Sequence, residues 1–203
     1  MNSVDWIEEV RTVHAALILA GGASTRMGQD KATLRVDGVE MIVRVAHALR
    51  DAGCRPILIA VRDGYQRREI GGLLMHLADV DYILDQGLER GSKPALRSAL
   101  EACAERGIQQ IQLAPCDLPW LSPELIVRLR TEKDRRVMMP RSTGLEPMLA
   151  LIEVEHVLDS FEASPAKASL QDIMRRVPHR IVSTEGIDPR CFINVNRPED
   201  LGR

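Results

Sequence analysis

The 203-residue sequence has few aromatic residues, little net charge and no long apolar run. Phe, Trp and Tyr together make up 3% of the chain, too few for base-stacking platforms or aromatic-lined grooves on any scale. Because 29 acidic residues oppose 27 basic ones, no overall field draws in nucleic acid or an anionic membrane. No apolar segment approaches the roughly 20 residues that a membrane-spanning helix needs. These absences predict a soluble globular protein that binds neither nucleic acid nor a membrane.

Cysteine and histidine are sparse and show no metal-binding pattern. None of the four cysteines forms a C-x-x-C pair, and the five histidines have no metal-ligand spacing with them. The first ten residues, MNSVDWIEEV, carry acids early and lack the apolar core with basic flanks that is typical of a secretory signal. We therefore expect a cytoplasmic protein with free thiols.

Strand-like and helical patterns alternate along the first two thirds of the chain. Residues 15–20 are a continuous apolar run that ends in Gly21-Gly22, which is typical of a central strand buried on both faces. Further strands are predicted at 57–61, 80–84 and 108–114, and helices at 40–52, 66–78 and 94–105, with another helix starting at 122–124. This alternation indicates right-handed βαβ units and a mainly parallel sheet.

The pattern is less regular from about residue 134. It predicts strands near 136–140 and 146–153, a helix to about Phe161, another near 169–176, and a last strand at 191–195. This part is expected to add an antiparallel edge or a cap. We therefore predict one α/β domain over residues 1–203, a three-layer α/β/α Rossmann-like fold with a mainly parallel mixed sheet, in which residues 1–13 are an N-terminal extension.

The segment after the first predicted strand reads LAGGASTRMGQDK over residues 19–31. Paired glycines at the carboxyl end of a buried strand let the backbone approach a ligand and turn its N–H groups toward an anion. Open α/β sheets bind ligands at this edge. Arg26 and Lys31, the latter one of only four lysines, offset much of the charge of a triphosphate. The segment matches neither G-x-x-x-x-G-K-[ST] nor G-x-G-x-x-G, so a kinase-like NTPase or a dinucleotide enzyme is disfavoured.

Two aspartates follow predicted strands and are expected at the same sheet edge. Asp117 follows the strand 108–114 and precedes Pro119. Mg²⁺ is typically held by one or two carboxylates plus substrate phosphates, so Asp117 is a candidate metal ligand, with a turn or capping role as the alternative. Asp85 closes the strand 80–84 and is expected between the glycine-rich segment and Asp117, or else to be a turn residue that ends its strand.

Three motifs resemble those of the molybdenum cofactor guanylyltransferases, within the nucleotidyltransferases of the nucleotide-diphospho-sugar transferase fold. Residues 19–31 resemble the signature L-A-G-G-x-S-x-R-M-G-x-D-K. Residues 114–119 (APCDLP) resemble P-C-D-x-P, and residues 192–201 (FINVNRPEDL) resemble F-x-N-V-N-x-P-E-[DE]-L. With Glu146-Pro147 before an apolar strand, the match spans nearly the whole chain.

The resemblance implies transfer of GMP from GTP to the terminal phosphate of molybdopterin, with release of pyrophosphate and with Mg²⁺ as the cofactor. It also implies transient contact with molybdenum-insertion proteins or molybdoenzymes. The implied catalytic residues are Arg26, Lys31 and Asp117, of which Asp117 binds the metal. The implied nucleotide-binding residues are Leu19, Ala20, Gly21, Gly22, Lys31, Asp85 and Asp117.

Asn194 and Asn196 belong to the acceptor side in this resemblance. They alternate along the predicted strand 191–195 and its continuation, so both side chains are expected on one face. Paired amides suit a polar, neutral ligand such as a pterin, because an amide can both donate and accept. Turn asparagines ahead of a terminal helix are the alternative, for Asn196 in particular. Cys116 and Cys191 lie nearby and are expected to be small buried residues rather than nucleophiles.

The chain departs from the family pattern in two places. The family's G-P-L-x-G reads GSKPA over residues 91–95, with a rare lysine, Lys93, that we expect to contact a phosphate. Ala60-Val61-Arg62 stands where relatives often carry an asparagine that contacts the nucleotide. A cytidylyltransferase for the same cofactor, another small-molecule nucleotidyltransferase and a non-catalytic nucleotide-binding homologue are the alternatives. Gly21 favours guanine, because the cytidylyl group usually reads L-A-A-G here.

Overall fold

The computed structural model describes residues 14–21, 30–85, 91–131, 135–196 and 200. The strands of this part are β1 (His14–Leu19), β2 (Arg35–Val36), β3 (Val39–Glu40), β4 (Cys54–Val61), β5 (Val80–Leu84), β6 (Gln110–Pro115), β7 (Val137–Arg141), β8 (Leu151–Glu153) and β9 (His179–Ser183). The α-helices are α1 (Met41–Asp51), α2 (Gly64–Leu74), α3 (Ser92–Glu105), α4 (Pro123–Thr131), α5 (Val154–Glu162) and α6 (Leu170–Arg176). Short 3₁₀ helices occupy Lys31–Thr33, Pro147–Leu149 and Pro189–Phe192.

Seven strands form one sheet in the order β5-β4-β1-β6-β8-β7-β9. β8 runs antiparallel to both of its neighbours, and the other pairs are parallel. The mainly parallel mixed sheet is therefore confirmed, and the less regular second half of the chain supplies its one reversed strand. β2 and β3 form a separate antiparallel hairpin.

The two faces of the sheet are covered by different helices. Successive residues of β1 alternate between the two cores: Ala16 and Ile18 pack on the side of α1, α2 and α4, whereas Ala15 and Leu17 pack on the side of α3, α5 and α6. β4 shows the same alternation, since every second side chain of a strand points to the same face. Strands apolar on both faces are what a sheet between two helical layers requires, so the three-layer α/β/α fold is confirmed.

Several predicted elements differ from those observed. Of the strand predicted near 146–153 only Leu151–Glu153 lies in the sheet, because Pro147 begins a 3₁₀ helix over Pro147–Leu149. The helix predicted over 66–78 ends at Leu74. Helix α2 begins at Gly64 rather than 66, because the Asp63 carboxylate caps it by accepting from the Gln66 N–H at 2.8 Å. The strand predicted at 191–195 is wrong. Asp188 accepts from the Arg190 N–H at 2.9 Å and starts the 3₁₀ helix Pro189–Phe192, after which residues 193–196 run outside the sheet.

His47 and His76 lie against each other where α1 meets the end of α2. Their Nε2 atoms are 3.0 Å apart, and the rings stack with centroids 5.3 Å apart. Partial burial lowers the pKa of His47, and the charges of Arg50 and His76 lower it further. The pair lies at the edge of the core, since His47 is half-buried and His76 is exposed.

None of the described helices is both long enough and apolar enough to cross a membrane.

Candidate active site

The carboxyl ends of β1, β4, β5 and β6 meet at one edge of the sheet. The Ala20 N–H donates to the Ala60 carbonyl at 3.0 Å and fixes the end of β1 against β4. On the other side of β1, the Cys116 N–H donates to the Leu19 carbonyl at 3.4 Å. The predicted nucleotide-binding residues Leu19, Ala20 and Gly21 therefore lie at the edge where open α/β sheets bind ligands.

Gly21 lies where the chain leaving β1 passes close to the chain leaving β4. A Cβ added at Gly21 would lie 3.3 Å from the Arg62 backbone nitrogen and 3.5 Å from the Val61 carbonyl carbon. The glycine thus allows the chain leaving β1 to pass next to the chain leaving β4. This packing favours glycine at position 21 whichever base the protein binds.

Lys31, Asp117 and Asn196 form a cluster at this edge, although up to 165 positions separate them in the sequence. The Lys31 ammonium donates to Asp117 Oδ2 at 2.6 Å and to Asn196 Oδ1 at 2.5 Å. The Lys31 and Asp117 side chains are only 17% and 19% exposed, so water screens their attraction less than at an open surface. The structure brings together three of the predicted residues, one from each motif.

Asp117 keeps one oxygen free for a further ligand. Its Oδ1 is buried and accepts no hydrogen bond from the described residues, whereas its Oδ2 is bound to Lys31. A buried carboxylate oxygen without a donor is costly, and a cation relieves that cost. The described residues contain no group of three or more acidic, histidine or cysteine side chains that could hold a metal ion. A single carboxylate fits Mg²⁺, which usually completes its shell with water and substrate phosphates.

The C-terminal segment is attached directly to Asp117. The Val195 N–H donates to the Asp117 carbonyl at 2.9 Å, and the Val195 side chain is buried with Val36 and Met41. Asn194 and Asn196, on either side of Val195, are both exposed, but they lie outside any strand. Only Asn196 contacts the cluster, because Asn194 makes no hydrogen bond with a described residue.

Asp85 lies at the predicted edge but not between the glycine-rich segment and Asp117. Its N–H donates to the Val61 carbonyl at 2.8 Å, which holds it at the end of the outermost strand, β5. Three interstrand spacings, about 14 Å, separate β5 from β6. The expected order was wrong because β1 pairs between β4 and β6, and no local pattern reports that pairing.

Lys93, which we expected to contact a phosphate, is held by backbone carbonyls of the protein. Its ammonium donates to the carbonyls of Ala166 and Ala168, at 2.5 and 3.1 Å, in the segment after α5. Gly91, two residues before Lys93, has φ +136°, a backbone conformation that favours glycine. The altered 91–95 segment is thus used to fix the start of α3 against the chain between α5 and α6.

Gln66 also belongs to this edge, although no sequence pattern indicated a role for it. Its side chain is fully buried, and its amide contacts Ala20, Asp30 and the Arg62 N–H. Nothing in the local pattern distinguishes it from any polar residue in the first turn of a helix. Of the remaining predicted site residues, Gly22 and Arg26 lie outside the described residues, as does the extension 1–13.

The four cysteines are all buried and free, as expected. Burial, and to a smaller extent the neighbouring Asp117 charge, raise the pKa of the Cys116 thiol to about 12. Burial likewise raises the pKa of Cys103 to about 12. Because the thiolate is the nucleophile, no covalent catalysis is expected from Cys116 even though it precedes Asp117.

The native protein is expected to resist thiol reagents. At pH 8 the thiols of Cys103 and Cys116, each with a pKa of about 12, are ionised in roughly one molecule in ten thousand, and all four thiols are buried away from the reagent. Addition of a chromogenic disulfide at pH 8 should therefore titrate no thiol within minutes, whereas the same protein in concentrated urea should show four. A thiol that reacts at once in the native protein would contradict the burial of these side chains.

Comparison with known proteins agrees with the motifs and the geometry. The sequence matches the family model of the MobA-like NTP transferase domain over residues 16–181. A protein of Opitutus terrae named probable molybdenum cofactor guanylyltransferase is 30% identical, over 93% of this chain and 93% of its own. A protein of Mycobacterium avium with the same name is 31% identical, over 92% of each chain.

A solved structure shows the same fold. The crystal structure of molybdopterin-guanine dinucleotide biosynthesis protein A from Archaeoglobus fulgidus has a TM-score of 0.70 to this chain at 21% identity, covering 93% of this chain and 95% of that one. The family resemblance drawn from the three motifs is therefore confirmed. The chain belongs to the MobA-like NTP transferase family of nucleotidyltransferases, and its relatives include proteins named molybdenum cofactor guanylyltransferase.

Proposed function

We propose that the protein transfers GMP from GTP to the terminal phosphate of molybdopterin, releasing pyrophosphate and forming molybdopterin guanine dinucleotide. The observation that carries this proposal is the ion pair of Lys31 with Asp117 at the ligand-binding edge, in which Asp117 Oδ1 stays without a donor among the described residues. The names of the relatives support the choice of substrates. We place the reaction in the cytoplasm, with transient contact to the molybdenum-insertion proteins or molybdoenzymes that take the product.

The arrangement of the strands suits an extended nucleotide. Asp85 at the end of β5 is a candidate for the base, since a carboxylate can accept two N–H bonds from a guanine edge. Backbone N–H groups from Gly21 onward and the Lys31 ammonium are candidates for the phosphates. The separation of about 14 Å between β5 and β6 lets one GTP span both sites.

The acceptor side is proposed to include the C-terminal segment. Asn196 already shares the Lys31 ammonium with Asp117, so a ligand bound at Asn196 would lie next to the reacting phosphates. Asn194 is exposed beside it and is free to meet a polar group of the acceptor. The acceptor oxygen attacks the α-phosphorus, the new phosphoanhydride bond forms, and the bond from the α-phosphorus to the bridging oxygen of the β-phosphate breaks.

The protein's part in this step is positioning and charge stabilisation. Lys31, together with the predicted contribution of Arg26, would stabilise the negative charge that develops on the leaving pyrophosphate. No protein nucleophile is needed, because the acceptor phosphate is already an anion at neutral pH. When Mg²⁺ is bound, Asp117 would hold it through Oδ1, and the ion would neutralise charge on the phosphate oxygens.

Nucleotide binding tests the proposal directly. In isothermal titration with GTP, CTP and ATP, each with Mg²⁺, we expect GTP to bind at least about tenfold more tightly than CTP, a difference of about 1.4 kcal/mol. Addition of molybdopterin should then release pyrophosphate. Tighter binding of CTP would assign the protein to the cytidylyl branch, and binding of GTP without pyrophosphate release would favour a non-catalytic homologue.

A further inference from the structure

Gln66 is fully buried, and every contact of its amide is made at the candidate active site. Its Nε2 donates to the Ala20 carbonyl at 3.0 Å and to Asp30 Oδ2 at 2.6 Å. Its Oε1 accepts from the Arg62 N–H at 2.7 Å. All its polar atoms are therefore satisfied, which is what a buried amide needs in order to be stable.

The two residues that accept from its N–H groups lie next to the two ends of the glycine-rich segment 19–31. Ala20 is the residue after β1, and Asp30 is the residue before Lys31. One side chain of α2 thus joins the start and the end of that segment, and its Oε1 joins both to the chain leaving β4. A single amide group therefore bridges Ala20 and Asp30.

The contact with Asp30 extends to Lys31. Asp30 Oδ1 accepts from the Ala32 N–H at 3.0 Å and caps the short helix Lys31–Thr33. Asp30 Oδ2 accepts from Gln66 at 2.6 Å and also lies 3.5 Å from the Arg62 guanidinium. The Thr33 hydroxyl also donates to the Asp30 carbonyl at 3.0 Å. Because the Asp30 side chain is only 7% exposed, this carboxylate has little freedom to move. Gln66 therefore helps to fix the direction in which the helix presents Lys31.

We propose that Gln66 is a positioning residue for nucleotidyl transfer: it holds Ala20 at the end of β1 and, through Asp30, the Lys31 ammonium in the geometry that receives the phosphates. The inference rests on the proposed function, since it assigns that site to a nucleoside triphosphate. Only a glutamine fits the role, because a carboxylate cannot donate to two acceptors, a cationic side chain cannot accept from Arg62, and asparagine is one methylene shorter.

Gln66→Met is the main test, with Gln112→Met as its matched control. Methionine keeps the length and burial of glutamine but removes the amide. Gln112 is also fully buried, and its Nε2 joins the carbonyls of Leu113 and Leu149 away from the glycine-rich segment. Both variants lose a buried amide, but only Gln66→Met affects the ends of the segment.

We expect Gln66→Met to weaken binding of GTP with Mg²⁺ at least about tenfold and to lower kcat by a similar factor, because small displacements of positioned groups are costly. The KM for the acceptor should change by less than about twofold. Gln112→Met should keep the affinity for GTP within about twofold of wild type. Thermal unfolding of each variant gives the temperature below which both are folded, and all titrations are made there.

Two charge variants add a test whose expected result a loss of stability alone would not produce. Gln66→Glu sets a carboxylate against Asp30 and loses both donations. When Gln66→Glu is combined with Asp30→Asn, the amide at position 30 can donate to the carboxylate at position 66, which is the reverse of the native direction. The double variant should therefore bind GTP more tightly than Gln66→Glu alone.

The inference is overturned if Gln66→Met binds GTP as wild type does, if Gln112→Met loses as much affinity, or if the double variant shows no recovery. Failure of the wild type itself to bind GTP is a different outcome, which overturns the proposed function.

Discussion

Replacing Asp117 with asparagine is expected to lower kcat by about 10²–10³, the loss that accompanies removal of one preorganised charge from an active site. The substitution keeps the shape of the side chain but replaces the carboxylate that pairs with Lys31 and that leaves Oδ1 available to a cation. An amide binds Mg²⁺ weakly and cannot neutralise the ammonium. Initial rates of pyrophosphate release at saturating GTP and acceptor measure the effect.

Two controls accompany this variant. Asp81→Asn removes the same charge from an exposed position of β5, and its kcat should stay within about twofold of wild type. Raising the Mg²⁺ concentration should recover part of the lost rate in Asp117→Asn, because a weakened metal site fills by mass action. Turnover close to wild type in Asp117→Asn would remove Asp117 from the proposed mechanism.

The layers of the fold were predictable from the sequence because local patterns encode burial. The runs at 15–20 and 57–61 are apolar on both faces, and the structure buries them between two helical layers. The order of the strands is not encoded in that way. Asp85 was placed wrongly because the pairing of β1 between β4 and β6 depends on contacts between distant segments.

The segment 191–196 shows a second limit of local patterns. Its alternation of apolar and polar residues is typical of a strand, and Val195 is indeed buried between two exposed asparagines. The Val195 side chain is buried in a small cluster with Val36 and Met41. Its backbone N–H donates a hydrogen bond to the Asp117 carbonyl rather than to a neighbouring strand. An alternating pattern reports which side chains are buried but not what buries them.

The candidate site was predictable where motifs carried it and not elsewhere. Lys31, Asp117 and Asn196 were each recognised within a motif, and the structure adds that one ammonium joins them. Gln66 belongs to no motif, and its partners Ala20 and Asp30 lie 46 and 36 positions away. Lys93 shows the opposite case, since a rare residue close to a predicted site is used to fix a neighbouring segment.

Replacing Lys31 with alanine is expected to cost about 10²–10³ in kcat, with a smaller rise in the KM for GTP. The ammonium is within 2.6 Å of Asp117 and 2.5 Å of Asn196, so it would meet the phosphates where charge builds up during bond breaking. An interaction that strengthens in the transition state lowers kcat more than it weakens substrate binding. Steady-state kinetics with varied GTP separates the two parameters.

Because Lys31 pairs with Asp117, the experiment also includes a control variant and a double variant. Lys167→Ala, at an exposed lysine, should leave both parameters unchanged. Lys31→Ala and Asp117→Asn should not be additive, because each single variant already destroys the same ion pair, and the double variant should lose little more than the worse single one. Fully multiplicative losses would mean that the two residues act independently, and unchanged kcat in Lys31→Ala would remove the ammonium from the mechanism.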